Sequence, residues 1–148
     1  MTRFLALLTV CRFASSVAKM TYAASLPFLL GEWEMSGTEA GAIQSVFNLA
    51  YAISLLIASW LADHLGAKRV FIASNVLSFA SFSLFALASR SYESAIVLYG
   101  IVGLTLGGSY TPALMLVAAK TAPAYRGGAI GLLLAGSSLG YCAAIALA

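Results

Sequence analysis

Residues 62–70 read Ala-Asp-His-Leu-Gly-Ala-Lys-Arg-Val, "ADHLGAKRV". Three charged side chains, Asp63, Lys68 and Arg69, fall there with a histidine and a glycine, between apolar runs at 39–62 and 70–89. In a soluble domain this would be an ordinary surface turn. The composition decides otherwise. Hydrophobic residues make up 61% of the chain and charged ones 9%, with a mean hydropathy of +0.96. A soluble domain carries roughly a quarter charged residues to dress its surface. Too few polar side chains exist here to cover a globule in water, so lipid is the solvent for most of the surface. "ADHLGAKRV" is then a turn between two membrane spans.

Outward from that turn, five stretches reach the roughly 20 mainly apolar residues that a helix needs to cross the hydrocarbon core. They are residues 4–30, 39–62, 70–89, 94–119 and 127–148. The runs are long and continuous and lack the alternation of a transmembrane barrel, which predicts helices. The expected fold is therefore an all-α integral membrane bundle of five helices, a single unit over residues 1–148. The connections "GEWEMSGT", "SRSYES" and "KTAPAYRGG" carry turn formers or charge, and none is long enough for a soluble domain.

The charges sort by side. With the N-terminus in the cytoplasm, Arg3, Lys68, Arg69, Lys120 and Arg126 fall inside and only Arg90 outside. Lys and Arg retained on the cytoplasmic side set orientation. Glu32, Glu34, Glu39 and Glu93 fall outside and Asp63 inside. This predicts a multi-pass protein of the cell (inner) membrane with a cytoplasmic N-terminus. The net charge of +3 is too scattered for a nucleic-acid partner. A secretory-signal reading, with cleavage after "SVA", fails because Arg12 interrupts the apolar region and "MTYAASLPFLL" continues it. Cys11 and Cys142 sit in apolar runs without metal-site or disulfide spacing. No cofactor or metal is expected.

Gly66 can take a positive φ and end a helix tightly, and Lys68 and Arg69 anchor the turn. A cytoplasmic turn of this kind between spans two and three resembles the signature loop of the major facilitator superfamily, Gly-x-x-x-Asp-Arg-x-Gly-Arg-Arg/Lys. Asp63, Gly66 and Lys68 match it; Ser59, His64 and Ala67 depart, with Arg69 able to supply the displaced cation. The resemblance implies that Asp63, Gly66, Lys68, Arg69 and Arg126 form a gating region, with Asp63 in a cytoplasmic latch between two halves. "APAYRGGAIGLLLAGSSLG" is similar to the family's fourth loop and fifth span through Pro123, Arg126, Gly127, Gly131, Gly136 and Gly140. Tyr125 stands where the family usually has an acid. The pairs Gly103/Gly107, Gly127/Gly131 and Gly136/Gly140 have the small-xxx-small spacing that lets membrane helices pack closely. The family is built of two six-helix halves. Five spans make most of one, so the chain is expected to be an N-terminal fragment whose partners are the bilayer, a solute and the remaining helices.

Ionisable residues inside a span are costly and usually functional. Arg12 and Lys19 qualify, about 20° apart around span one and about 10 Å apart along it. Ser15, Ser16 and Tyr22 continue much the same face. The pair reads as a cationic stripe on a water-filled cavity attracting an anion; alternatively the span begins near Phe13 and Arg12 lies at the headgroups. Gln44, Asn48 and Tyr51 share a face of span two, and span four offers Thr105, Ser109, Tyr110 and a kinking Pro112. The family's cavity is lined by spans one, two, four and five, which makes Arg12, Lys19, Tyr22, Gln44, Asn48, Tyr51, Tyr110 and Tyr141 candidate substrate contacts. Each is otherwise interhelical glue worth about 0.6 kcal/mol. Ser74, Ser78 and Ser81 share a face of span three and read as packing. No Asp or Glu lies deep in a span, so a proton carrier is expected elsewhere, and span five lacks the Gly-Pro pair of the drug-antiporter branch. The functional expectation is secondary-active transport of a small solute, an organic or inorganic anion, by alternating access. The alternatives are a carrier of a neutral or drug-like solute and a non-transport membrane scaffold or subunit. No nucleophile, base and orienter come together in the sequence, which argues against an enzyme.

Overall fold

The computed structural model describes the backbone of residues 2–146 and their side chains apart from Thr2, Arg3, Ala18 and Thr21. The cation expected at Arg3 and the last two residues of the fifth expected span lie outside the described residues. Among the described residues there are six α-helices: α1 (Thr2–Glu32), α2 (Gly37–Leu65), α3 (Ala67–Ala88), α4 (Tyr92–Leu106), α5 (Thr111–Lys120) and α6 (Arg126–Ala146). Among the described residues there is no strand. Taking α4 and α5 together, five helical segments are long and apolar enough to cross a membrane, at Phe4–Glu32, Gly37–Leu65, Ala67–Ala88, Tyr92–Lys120 and Pro123–Ala146. Each overlaps one expected span. The outward surface suits lipid, since Phe79 is 78% exposed and Leu87 79%. Contiguous apolar surface of that kind does not persist on a soluble monomer.

Local chemistry starts and stops these helices. Ser36 caps α2 in a reciprocal pair: the Glu39 amide donates to Ser36 Oγ at 3.3 Å and the Ser36 amide to Glu39 Oε2 at 2.8 Å. Ser91 and Ser94 make the equivalent box at the start of α4. Gly66 separates α2 from α3 at φ 90°, ψ 133°, the only glycine with positive φ among the described residues. The expected turn is therefore made by one residue.

Span four is expected as one helix kinked at Pro112. Instead a 3₁₀ turn at Gly107–Ser109 divides it. Proline has no N–H and its ring clashes with the carbonyl four residues earlier, so the α-helical ladder fails just upstream and restarts with Pro112 in the first turn of α5. The two glycines of the turn also let neighbours in. A Cβ on Gly107 would fall on Ser54 of α2, and one on Gly108 would fall on Ser74 of α3. The Ser54 hydroxyl donates to the Leu104 carbonyl, so a freed backbone acceptor is satisfied from the next helix.

α1 packs chiefly along α6, α2 along α4, and α3 along α4 and α5. An aromatic core fills one end, where Tyr22, Phe47, Phe85 and Tyr99 pack together with centroid separations of 4.5–6.5 Å, Phe47 stacked on Tyr99 and Tyr22 edge-on to Phe85. Leu8, Phe71, Ala113, Val117, Ala129 and Leu133 form the core at the other end. Two serines of span three meet span four: Ser81 Oγ lies 2.8 Å from Thr105 Oγ1, and Ser74 lies against Gly108.

Candidate functional site

Seven residues of α1 make nearly two full turns, which carries Arg12 and Lys19 to one side of the helix. Lys19 lines a cavity of about 480 Å³ together with Gln44, Phe47, Asn48, Tyr51 and Tyr141. Its ammonium stands 3.8 Å from the centroid of the Tyr51 ring. Gln44 Nε2 donates to Asn48 Oδ1 at 3.3 Å, one turn along the same face. Within the wall, the rings of Phe47 and Tyr51 stack at 6.1 Å and 5°. The Tyr99 hydroxyl donates to the Lys19 carbonyl at 2.9 Å, which ties α1 to α4 at the depth of the cation.

Arg12 is 3% exposed. The break in span four gives the guanidinium a protein partner. Its Nη1 donates to Ser109 Oγ at 3.5 Å and its Cζ lies 5.0 Å from the centre of the Tyr110 ring. The Ser109 hydroxyl itself donates to the Leu106 carbonyl at 2.8 Å, leaving a lone pair for Arg12. Arg12 Nε is buried without a hydrogen-bond partner, and no carboxylate pairs with Arg12 or Lys19 among the described residues. The Arg12 charge acts on both Lys19 and Tyr51. A buried cation without a counter-charge is expensive, and here there are two neighbours of the same sign.

The fold thus gathers Arg12, Lys19, Gln44, Asn48, Tyr51, Tyr110 and Tyr141 from four spans. Tyr22 is not among them. Three residues beyond Lys19 is 300° of rotation, and the remaining 60° turns its ring into the aromatic core, 2% exposed, with its hydroxyl donating to the Ala40 carbonyl at 3.2 Å. Phe47 and Tyr99 escape the sequence reading. As aromatics within apolar runs they look like core, and only their place behind Lys19 distinguishes them. Among the described residues no three His, Cys, Asp or Glu side chains come together, so there is no metal-ligand set.

Asp63, Lys68 and Arg69 are exposed around Gly66, and they form no ion pair with another described residue. Arg126 Nε donates to the Thr121 carbonyl at 3.1 Å and so closes the end of α5. Of the small-residue pairs, Gly103 meets the Phe47 carbonyl, Gly107 meets Ser54, Gly136 meets Thr9 and Gly140 meets the Phe13 carbonyl. Among the described residues nothing lies within 4 Å of a Cβ placed on Gly127 or Gly131, so no described helix crosses there.

Comparison with known proteins gives this arrangement a family. The "Probable 4-methylmuconolactone transporter" of Cupriavidus pinatubonensis (strain JMP 134 / LMG 1197) is 28% identical over 123 residues, 83% of this chain and 28% of that protein. The "Putative niacin/nicotinamide transporter NiaP" of Bacillus subtilis (strain 168) is 33% identical over 113 residues, 76% of this chain and 28% of that protein. The chain therefore spans little more than a quarter of the length of these relatives. No solved structure matches it significantly. The family profile described as Major Facilitator Superfamily matches residues 8–148. With five helices suited to crossing lipid, this is a multi-pass membrane protein, and the chain belongs to the Major Facilitator Superfamily.

Proposed function

We propose that the chain is the N-terminal part of a secondary-active transporter that carries a small organic anion by alternating access, the parts of the protein rocking around a site near the midplane. The observation that carries this reading is the pair Arg12 and Lys19, one buried and one on a cavity wall, with no carboxylate partner among the described residues. Such a field concentrates anions and repels cations. An anionic solute would supply the counter-charge, with Gln44, Asn48, Tyr51, Tyr110 and Tyr141 contributing hydrogen bonds and ring faces. The relatives' names lend support. Methylmuconolactone and niacin each carry a carboxylate and a small unsaturated ring, although nicotinamide, named beside niacin, is uncharged. We therefore favour a single-ring carboxylate as the solute.

The protein sits in the cell (inner) membrane with its N-terminus in the cytoplasm. Lys68, Arg69, Lys120 and Arg126 mark the cytoplasmic end, and Asp63 with Gly66 and Lys68 acts as a latch toward the rest of the transporter. The test is uptake by the full-length protein across a panel of carboxylates, organic cations and neutral sugars. Lys19→Ala should weaken carboxylate uptake far more than Asn48→Ala. Unchanged uptake in a folded, membrane-inserted Lys19→Ala protein would overturn the anion reading and leave Lys19 as a structural residue.

A further inference from the structure

Span two carries two carboxamides into the depth of the bilayer. Gln44 and Asn48 stand seven and eleven residues beyond Gly37 at the start of α2, roughly 10 and 16 Å into the span. Hydrocarbon offers no hydrogen bonds, so a polar group at that depth needs a partner from protein, water or ligand. The two side chains meet only part of that need. Gln44 Nε2 donates to Asn48 Oδ1 at 3.3 Å. That bond engages the oxygen of Asn48 and leaves its amino group, with two N–H donors, without a hydrogen-bond partner among the described residues. Gln44 is half-buried and Asn48 exposed, and both line the cavity that Lys19 enters.

The rest of the lining says what those donors face. Met20 and Ala23 of α1, with Phe47 and Tyr51 of α2, give the cavity apolar and ring surface. The planes of Phe47 and Tyr51 differ by only 5°, a wall that suits a flat ring. The Lys19 ammonium over Tyr51 marks where a carboxylate would be held. Asn48 is three residues from Tyr51, about 4.5 Å along the helix. A carboxyl carbon and the far atom of a six-membered ring are separated by a similar distance. A ring carboxylate paired with Lys19 therefore brings its opposite edge level with Asn48.

We infer that Asn48 sets specificity by donating to a hydrogen-bond acceptor, a ring nitrogen or an oxygen substituent, on the edge of the solute away from its carboxylate. Gln44 is the positioning residue. Its bond to Asn48 Oδ1 keeps the carboxamide from turning over and presenting an acceptor to an acceptor. The inference takes the place of the carboxylate from the anion reading above and adds a second polar edge to the solute.

Benzoate and its pyridine isosteres, nicotinate and isonicotinate, test it, because they share charge and outline and differ by one ring atom. Uptake is measured in the full-length protein and in its Asn48→Leu and Gln44→Leu variants, with benzamide as the neutral control. In Asn48→Leu the Vmax/KM ratio of the better pyridine to benzoate should fall roughly two- to tenfold, the worth of one hydrogen bond. Benzoate uptake should persist, which shows that the variant folds. Gln44→Leu should lower the ratio by less, and it gives a second reading should Asn48→Leu fail to reach the membrane. An unchanged ratio in both variants would overturn the inference and leave Asn48 to pair with a helix outside residues 1–148. Equal uptake of benzoate and benzamide by the parent protein would instead overturn the anion reading, while the ratio in the variants still decides the role of Asn48.

Discussion

The ammonium of Lys19 rests on the face of the Tyr51 ring, 3.8 Å from its centroid, with no carboxylate partner among the described residues. The ring quadrupole holds the cation in place without neutralising it, an interaction worth about 0.5–2 kcal/mol depending on desolvation. Tyr51→Phe keeps the ring face and should leave carboxylate uptake close to normal. Tyr51→Leu frees the ammonium and should raise the apparent KM by roughly the few-fold to thirtyfold that this energy range corresponds to. Uptake kinetics on both variants check it, and equal effects would mean that the hydroxyl matters and the ring does not.

Gly66 makes the turn between α2 and α3 at φ 90°, ψ 133°. That combination lies outside the left-handed helical region that asparagine tolerates, and only glycine reaches it without strain. Gly66→Ala should cost about 1–3 kcal/mol, and Gly66→Asn should not rescue it. Folded yield and thermal midpoint in detergent measure this; a fully stable Gly66→Asn protein would show that the turn relaxes into another conformation.

The five spans are legible because lipid demands long uninterrupted apolar runs, and nothing else in the chain competes with them. The wall formed by Lys19, Gln44, Asn48 and Tyr51 is legible too, since spacings of three, four and seven fix a face of each helix. The burial of Arg12 is not. It depends on the break at Gly107–Ser109, and the break depends on Pro112 together with the close approach of Ser54 and Ser74. Contacts between spans leave no periodicity to read. Tyr22 misleads for a smaller reason: 60° of rotation separates a cavity wall from a core, finer than a face assignment resolves.

Among the small-residue pairs, a Cβ on Gly140 would stand 2.5 Å from the Phe13 carbonyl oxygen and 2.9 Å from Ser16 Cβ, whereas one on Gly131 would meet nothing within 4 Å. Backbone cannot step aside as a flexible side chain does, so Gly140→Ala should force α1 and α6 apart at a cost of about 1–3 kcal/mol. Gly131→Ala should stay within about 0.5 kcal/mol of the parent. Comparable losses in thermal stability from both would show that Gly131 also lies at a helix crossing in the full protein.

Lys68 in the first turn of α3 and Glu93 in the first turn of α4 are both exposed, with the length of α3 between them. In a background with Cys11 and Cys142 replaced, Lys68→Cys should react with a membrane-impermeant maleimide only after the cells are opened. Glu93→Cys should react in intact cells. Labelling of both from outside would reverse the orientation and remove the cytoplasmic assignment of the Asp63–Arg69 turn.

Arg12 separates structural from functional cost most sharply. Its guanidinium is buried, its bond to Ser109 is long at 3.5 Å, and its Nε has no partner. Replacing buried ionic groups by apolar residues of similar volume is often neutral or stabilising, by about 1–4 kcal/mol. Were Arg12 there to hold the break in span four, Arg12→Met would loosen it and lower the thermal midpoint. If Arg12 instead waits for an anion, Arg12→Met should leave the midpoint unchanged or raised while carboxylate uptake is lost. Arg12→Lys keeps the charge but not the fork of donors that grips Ser109 and a carboxylate together, so it should retain partial uptake with a raised KM. Thermal melts and uptake on the same preparations decide the matter. Normal transport by a stable Arg12→Met protein would remove Arg12 from anion binding and leave Lys19 as the only cation of the site.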